Sequence, residues 1–304
     1  MNNNMVTFQK IGLMAKHTHP EIHSTLENLY SLLAPLISEC YIEESLAPYL
    51  PTQKLSSQLT NFIVIPLEEM PQHIDLCIVI GGDGSFLKAA RLMANHAIPI
   101  LGINRGRLGF LTDFSPKDLD TELLPVLKGA YKQESRFLLQ AELIRNQQVI
   151  SSSLALNDVV LYSGDIARLL EFEVSIDGHF MSRQRSDGLI TATPTGSTAY
   201  ALSGGGPILH PELEAIVLVP MHPLTLSSRP IVLSSNAQIE LHLIHNDLIH
   251  PKLSFDGQVI FTLEPDDKIL IKKYPTDITL IHPKNYDYYH TLRTKLGWNW
   301  SSAR

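Results

Sequence analysis

The strongest constraint on the fold is an apolar run that ends at a glycine-rich turn. Residues Leu76–Ile80 read LCIVI and are followed at once by Gly81–Ser85, which read GGDGS. A strand without polar residues is typical of parallel sheets that helices cover on both faces. We expect a helix from Ser85 to about Asn95. A strand, a tight turn and a helix in this order predict an open parallel sheet of the α/β class.

The first 130 residues repeat this alternation of short apolar runs with longer amphipathic stretches. The predicted strands are Val6–Met14, Phe62–Ile65, Asp75–Ile80 and Ile98–Gly102. The predicted helices are His19–Ile37, Ser85–Asn95 and Lys117–Leu127. The pattern indicates an N-terminal α/β domain over residues 1–130.

Beyond about Tyr131 the pattern changes to short alternating strands separated by turns. Leu170–Ile176 alternates with period two and runs into Asp177-Gly178, and a second Asp-Gly turn lies at Asp256-Gly257. Asp-Gly between apolar runs is a strong hairpin signal. Three further strands are predicted at Ile239–Ile244, Lys268–Ile271 and Ile278–Ile281. We expect a β-sandwich-like domain over residues 131–283 and a partly helical tail, residues 284–304, that packs on the N-terminal domain.

Composition narrows the compartment and the partners. The chain has 24 Lys and Arg against 31 Asp and Glu, a net charge of −7, which disfavours general nucleic-acid binding. No apolar stretch approaches the roughly 20 residues of a membrane span, and the N-terminal residues lack a signal-peptide core. The two cysteines, Cys40 and Cys77, lie far apart. We expect a cytoplasmic protein without a membrane or nucleic-acid partner.

The turn at Gly81–Ser85 predicts a phosphate site, because free amides meet a helix N-terminus there. The chain contains neither GxxxxGK[ST] nor GxGxxG, so the Walker and Rossmann patterns are excluded. The negative charge of Asp83 would repel phosphate, so this residue is expected to have a role other than binding phosphate. It could accept a proton from an attacking hydroxyl, hold a divalent ion, or only cap the helix.

Two polar segments of the second half are also candidates for binding. The segment from Arg185 to Pro207 is rich in hydroxyls and glycines, and its Tyr200 offers an aromatic face. It suits ribose and phosphate, or it is a surface loop rich in Ser and Thr. Asn157-Asp158 could grip a vicinal diol or orient a phosphate, although a polar pair before a strand is most often a turn.

Three N-terminal histidines, His17, His19 and His23, resemble a metal cluster. Pro20 lies among them, and no further ligand pattern of known metal geometry follows. A segment that enters a helix is therefore the better interpretation, and we predict no protein metal ligands.

Five segments, taken in order, resemble the bacterial NAD kinase family. They are Gly81–Ser85, Gly106–Asp113 (GRLGFLTD), Asn157-Asp158, Thr193–Tyr200 (TPTGSTAY) and Thr225–Pro230 (TLSSRP). TPTGSTAY is far more specific than the Gly-Gly-Asp-Gly turn, which lipid kinases and phosphofructokinases share. The resemblance spans roughly Val6 to Pro283.

The resemblance implies transfer of the γ-phosphate of ATP to the 2′-hydroxyl of the adenosine ribose of NAD. Asp83 matches the proton acceptor, Gly84 shares its turn, and Lys88 lies within reach of a phosphate. The implied dinucleotide-binding positions are Asn157, Asp158, Arg168, Arg185, Asp187, Thr198, Ala199, Tyr200, Ala201, Leu202, Ser203 and Gln258. Leu224 departs from the family pattern, which has a polar residue there.

The same resemblance implies an active site between the two domains, a divalent cation, most often Mg²⁺, and a homodimer or homotetramer. Two alternatives remain open. One is a lipid kinase of the diacylglycerol or sphingoid type, against which the polar Thr193–Thr198 segment argues. The other is a non-catalytic dinucleotide sensor, in which Asp83 would have no use.

Overall fold

The computed structural model describes residues 7–15, 22–50, 61–105, 108–164, 168–244 and 250–298. Two compact units are present: Met1–Ser135 together with Ile278–Arg304, and Arg136–Asp277. His17, His19, Gly106 and Arg107, on which parts of the sequence predictions fall, lie outside the described residues. Among the helices of the described segments, none has both the length and the apolar character that a bilayer crossing requires.

The strands and helices are numbered in chain order. The strands are β1 (Lys10–Ala15), β2 (Glu39–Glu43), β3 (Phe62–Ile65), β4 (Leu76–Ile80), β5 (Ile100–Ile103), β6 (Tyr131–Arg136), β7 (Leu139–Arg145), β8 (Gln148–Ala155), β9 (Asp158–Tyr162), β10 (Leu170–Ile176), β11 (His179–Ser186), β12 (Gly188–Ala192), β13 (Ala215–Met221), β14 (Ile231–Ser234), β15 (Ile239–Leu243), β16 (Lys252–Phe255), β17 (Val259–Thr262), β18 (Lys268–Lys273) and β19 (Ile278–Pro283). The helices are α1 (Ile22–Leu33), α2 (Asp83–Met93), α3 (Leu119–Leu127), α4 (Tyr200–Ser203) and α5 (Tyr288–Leu296).

The first unit is built on a seven-stranded sheet in the order β3-β2-β1-β4-β5-β19-β6. Its pairs from β3 to β19 are parallel. All five residues of β4 are buried, and alternate residues of this strand join a core with α1 and α3. The apolar run Leu76–Ile80 is therefore an inner strand covered on both faces, and the predicted α/β class is confirmed.

Two features of this sheet differ from the sequence prediction. Strand β2 was not predicted, since its sequence, ECYIE, mixes acidic and apolar residues. Strand β19 was predicted as a strand of the second domain, but it pairs with β5 through Leu280 and Ile100. The second unit therefore runs from Arg136 to Asp277, inside the expected range of 131–283. Local periodicity identifies a strand, whereas its sheet depends on partners far along the chain.

The second unit contains two six-stranded antiparallel sheets, ordered β11-β10-β15-β18-β7-β8 and β14-β13-β12-β9-β16-β17. Residues from both sheets, among them Phe172 and Phe255, form one apolar core, so the predicted sandwich-like architecture is confirmed. The two Asp-Gly turns join β10 to β11 and β16 to β17. Asp177 and Asp256 have φ values of 52° and 51°, as two-residue hairpins with this sequence require.

Candidate functional site

Asp83 is the first residue of α2, directly after the buried strand β4. Its Oδ2 accepts a hydrogen bond from the amide of Phe110 and its Oδ1 one from the amide of Leu111, both at 3.0 Å. The helix N-cap is Gly82. The carboxylate is thus directed to a remote segment and held in one orientation by two backbone donors.

Gly109 explains how that segment comes so close to the carboxylate. A Cβ atom on Gly109 would lie 2.2 Å from Asp83 Oδ1 and 2.3 Å from Thr112 Oγ1. Neither distance is possible for a real side chain. Glycine is therefore needed at this position because the backbone packs directly against the Asp83 carboxylate.

Lys88 lies on the same helix, and Gly84 is exposed in its first turn. The Lys88 ammonium is mostly exposed and lies 3.9 Å from Oε1 of Glu43, whose side chain is almost fully buried at the end of β2. The structure thus supplies an accessible cation near the glycine turn, one that already faces a carboxylate.

A cavity of about 440 Å³ in the second unit brings together four of the predicted binding residues: Asn157, Asp158, Ala199 and Tyr200. Its other lining residues are Val160, Tyr162, Met221, Ser254, Asp256, Gly257 and Ile260. A mainly apolar wall with a few convergent polar groups is typical of a small-molecule site.

Asp256 organises the polar side of this cavity. Its carboxylate accepts hydrogen bonds from the amides of Leu156, Asn157 and Asp158 at 3.2, 2.8 and 3.2 Å. Its own amide donates to the carbonyl of Asp158 at 3.0 Å. The sequence analysis treated Asp256 only as a turn residue and missed this role. The sequence feature that could have indicated this role is the Asp-Gly turn, because Asp side chains in turns commonly accept hydrogen bonds from backbone amides.

Asp158 is 5% exposed. Burial, and secondly the negative charge of Asp256, raise the pKa of Asp158 from 3.8 to about 7. Near neutral pH this carboxyl is therefore present in both protonation states. It can donate a hydrogen bond as well as accept one, which an ordinary ionised aspartate cannot.

The TPTGSTAY segment is bonded to Asn157 by its backbone. The amide of Thr193 donates to the Asn157 carbonyl at 2.9 Å, and Thr193 Oγ1 donates to the Leu156 carbonyl at 2.6 Å. A Cβ on Gly196 would lie 2.0 Å from the Asn157 carbonyl oxygen. The segment therefore fixes the cavity wall, and its glycine permits the contact.

Several hydroxyl groups of this segment form hydrogen bonds to the backbone of the protein itself. Ser197 is fully buried, donates to the Pro194 carbonyl at 2.6 Å and accepts from the amide of Leu209 at 2.9 Å. Thr198 donates to the Thr195 carbonyl at 3.1 Å. From the sequence, this segment is suited to ribose and phosphate or is a surface loop rich in Ser and Thr. In the structure the hydroxyls of Thr193, Ser197 and Thr198 bond to nearby backbone carbonyls, as is common for Ser and Thr in turns.

The remaining predicted positions lie around this cavity or away from it. Ala201, Leu202 and Ser203 form α4 next to the lining residues, and Ala201 is buried. Asp187 Oδ2 lies 3.0 Å from His222 Nδ1. Gln258 is exposed after the turn at Gly257, and Arg168 is exposed before β10.

Arg185 lines a separate cavity of about 260 Å³ in the second unit, together with Thr225, Ser228 and Arg229. The Leu224 amide donates to the Arg185 carbonyl at 2.9 Å. Leu224, the residue that departs from the family pattern, is exposed and is tied to a predicted binding residue through its backbone alone.

The histidine segment belongs to the first unit, and His23 is the member of it that the described residues include. His23 Nδ1 lies 3.9 Å from Glu27 on the next turn of α1, a spacing that fits the helix interpretation. Over the described ranges, no group of three or more His, Cys, Asp or Glu side chains is arranged to hold a metal ion.

Comparisons with known proteins cover nearly the whole chain. Residues 11–131 match the family model of the ATP-NAD kinase N-terminal domain, and residues 156–283 match that of the ATP-NAD kinase C-terminal domain. Proteins named NAD kinase from Marinomonas sp. (strain MWYL1) and Teredinibacter turnerae are each 47% identical over 294 residues. Those alignments cover 97% of this chain and 98% of each relative.

Solved structures with the same fold include a eukaryotic and an archaeal protein. The yeast NADH kinase complexed with NADH superposes with a TM-score of 0.88 at 27% identity, over 97% of this chain and 89% of that one. An NAD kinase from Archaeoglobus fulgidus in complex with ATP superposes with a TM-score of 0.71 at 24% identity, over 94% and 99% of the two chains.

Proposed function

The chain belongs to the NAD kinase family and has its activity, the phosphorylation of NAD, and we propose that Asp83 is the proton acceptor of this reaction. The 2′-hydroxyl of the adenosine ribose attacks the γ-phosphorus of ATP, Asp83 takes the hydroxyl proton, and NADP and ADP are the products. The bond from the γ-phosphorus to the bridging oxygen breaks as the new ester bond forms.

The observation that carries this proposal is the pair of hydrogen bonds from Phe110 and Leu111 to the Asp83 carboxylate. Phosphoryl transfer depends mainly on the alignment of donor and acceptor, so a base held in a fixed orientation contributes more than a mobile one. The glycine turn and the start of α2 offer amides for phosphate beside this base, and Gly84 and Lys88 extend that surface.

We propose that the cavity of the second unit binds the dinucleotide. Asn157 and Asp158 offer both donors and acceptors to ribose hydroxyls, and Tyr200 offers an aromatic face. The yeast relative, complexed with NADH, supports a dinucleotide as the ligand. The further binding positions are proposed as Arg168, Arg185, Asp187, Thr198, Ala199, Ala201, Leu202, Ser203 and Gln258.

A divalent cation, Mg²⁺, is proposed to accompany ATP. Mg²⁺ usually keeps several waters and binds through one or two carboxylates together with substrate phosphates. The site therefore needs no cluster of three or more protein ligands, and the described residues contain none. When bound, the ion supplies charge neutralisation at the transferred phosphoryl group.

A cytoplasmic location and self-association are further parts of the proposal. Cys40 and Cys77 are free and buried, as suits a reducing compartment. Phe180, Leu224 and Leu226 expose apolar side chains on the second unit, and Leu226 is 90% exposed. Contiguous apolar patches, not single exposed residues, mark subunit contacts, so the homodimer or homotetramer is proposed from the family resemblance.

The test of the catalytic proposal is NADP formation from NAD, ATP and Mg²⁺, read through an NADP-specific dehydrogenase. Asp83→Asn should lower kcat by roughly 10²–10⁴-fold, the usual contribution of a general base, while the calorimetric Kd for NAD stays within about twofold. Asp118→Asn is the matched control, because Asp118 makes no side-chain cap hydrogen bond to α3. Wild-type kcat in Asp83→Asn would exclude Asp83 as the base.

A further inference from the structure

A buried histidine lies in the first unit and does not belong to the candidate site described above. His282 on β19 is 1% exposed, and its Nδ1 hydrogen-bonds to Oδ2 of Asp113. Its Nε2 lies 3.6 Å from Oε2 of Glu134 on β6. Its ring stacks on Tyr286 with the centroids 4.0 Å apart. The imidazole is thus fixed by two carboxylates and one aromatic ring.

The charge of this cluster follows from its surroundings. Burial opposes an imidazolium, but the hydrogen bond to Asp113 and the negative charges of Asp113 and Glu134 outweigh burial and raise the pKa of His282 above its ordinary value. Two further charged side chains face the cluster: Glu122 of α3 and Lys132 of β6. His282 and Asp113 thus form a buried, hydrogen-bonded pair of side chains.

Asp113 belongs to the segment that holds Asp83. The two amides that bond to the Asp83 carboxylate come from Phe110 and Leu111, three and two residues before Asp113. The next residue, Phe114, accepts a backbone hydrogen bond from the Asn104 amide at 2.8 Å and donates one to the carbonyl of Gly102 in β5 at 3.1 Å. The segment is tied to β5 by its backbone and to β19 by the Asp113 side chain.

We propose that His282 and Asp113 are positioning residues for the catalytic base. Their side-chain hydrogen bond anchors the segment 110–113 to β19, so that both amides stay in place to orient the Asp83 carboxylate. This inference rests on the proposed role of Asp83. It assigns a role in the reaction to a histidine that lies beyond the base and its two donors.

His282→Phe and His282→Asn distinguish the hydrogen bond to Asp113 from simple packing of the ring. Phenylalanine keeps an aromatic ring for Tyr286 but removes the hydrogen bond, whereas asparagine keeps a donor near the position of Nδ1. We expect His282→Phe to lower kcat on the order of 10–100-fold, because a misplacement of about 1 Å caused away from the chemistry can cost about 10²-fold. KM for NAD and for ATP should change less than twofold, and His282→Asn should recover part of kcat.

A double variant tests whether His282 acts through Asp83. In the Asp83→Asn background, His282→Phe should leave the residual turnover unchanged within about twofold, because there is no base left to orient. An equal fold loss in both backgrounds would overturn the proposal. His290→Phe on α5, where the histidine is exposed, is the control for adding a phenyl ring to this unit.

Further kinetic results would also test the positioning role of His282 and the role of Asp83 as the base. Wild-type kcat in folded His282→Phe, checked by thermal denaturation, would overturn the positioning role but leave Asp83 as the base. If His282→Phe does not fold, His282→Asn and Asp113→Asn take its place, and wild-type kcat in both would overturn the role. Full turnover in Asp83→Asn would refute the base itself.

Discussion

Replacement of Asp158 by asparagine is expected to stabilise the protein at alkaline pH. Asp158 is buried beside Asp256, and its pKa rises from 3.8 to about 7 on folding. Each pH unit between the unfolded and folded pKa values is worth about 1.36 kcal/mol. The ionised carboxylate therefore costs the folded state about 4 kcal/mol above pH 7. Asparagine has nearly the same shape and carries no charge.

The pH dependence has a definite sign. Below about pH 4 the carboxyl is neutral in both the folded and the unfolded chain, so its cost vanishes. As the pH rises from about 4 to about 7 only the unfolded chain releases the proton, and stability falls. Asp158→Asn should therefore exceed the wild type by about 4 kcal/mol at pH 8 and by about 2 kcal/mol at pH 5.

Urea denaturation at pH 5 and pH 8 measures this difference. Glu212→Gln is the matched control, since its side chain is 79% exposed on the same unit and the same change from carboxyl to amide should have little effect at either pH. The reasoning would be refuted if Asp158→Asn were less stable than the wild type at pH 8. It would also be refuted if the difference in free energy of unfolding between the two proteins did not become smaller at pH 5.

Two further predictions test contacts within one unit. Gly109→Ala should lower kcat at least about tenfold with little change in KM, because its Cβ would meet Asp83 Oδ1 at 2.2 Å; a kcat within twofold of wild type contradicts this. Arg145→Met should lower the free energy of unfolding by about 3 kcal/mol, because it leaves the buried carboxylate of Asp267 without its cation. The exposed Arg183 serves as control, since Arg183→Met should cost at most about 1 kcal/mol in the same urea titration.

Much of the fold could be predicted because its signals are local. The apolar run of β4, the strand β3 and the Asp-Gly hairpins depend on periodicity and turn chemistry within a few residues. The pattern failed at β2, where acidic and apolar residues mix. It also assigned β19 to the second domain, whereas this strand pairs with β5 of the first unit, because nothing within that segment specifies its neighbour.

In the candidate site, too, local sequence indicates some residues, whereas only tertiary contacts reveal others. The sequence singled out Asp83, the Asn157-Asp158 pair and Tyr200 as candidates, because their residue types stand out beside glycines and strand ends. It did not identify Asp256, whose carboxylate bonds to the Asn157 amide across 99 residues of sequence, nor the wall-building role of the hydroxyls in the TPTGSTAY segment.

The sequence by itself determined the α/β half, the β-rich half and the order of the motifs, since these follow from patterns that each segment carries within itself. Only the tertiary structure decided which groups become neighbours. Asp113 and His282 meet although 169 positions separate them, and Asp158 acquires a pKa of about 7 from burial and from Asp256. Desolvation and charge act through space, so the chemistry of these residues is set by the folded arrangement.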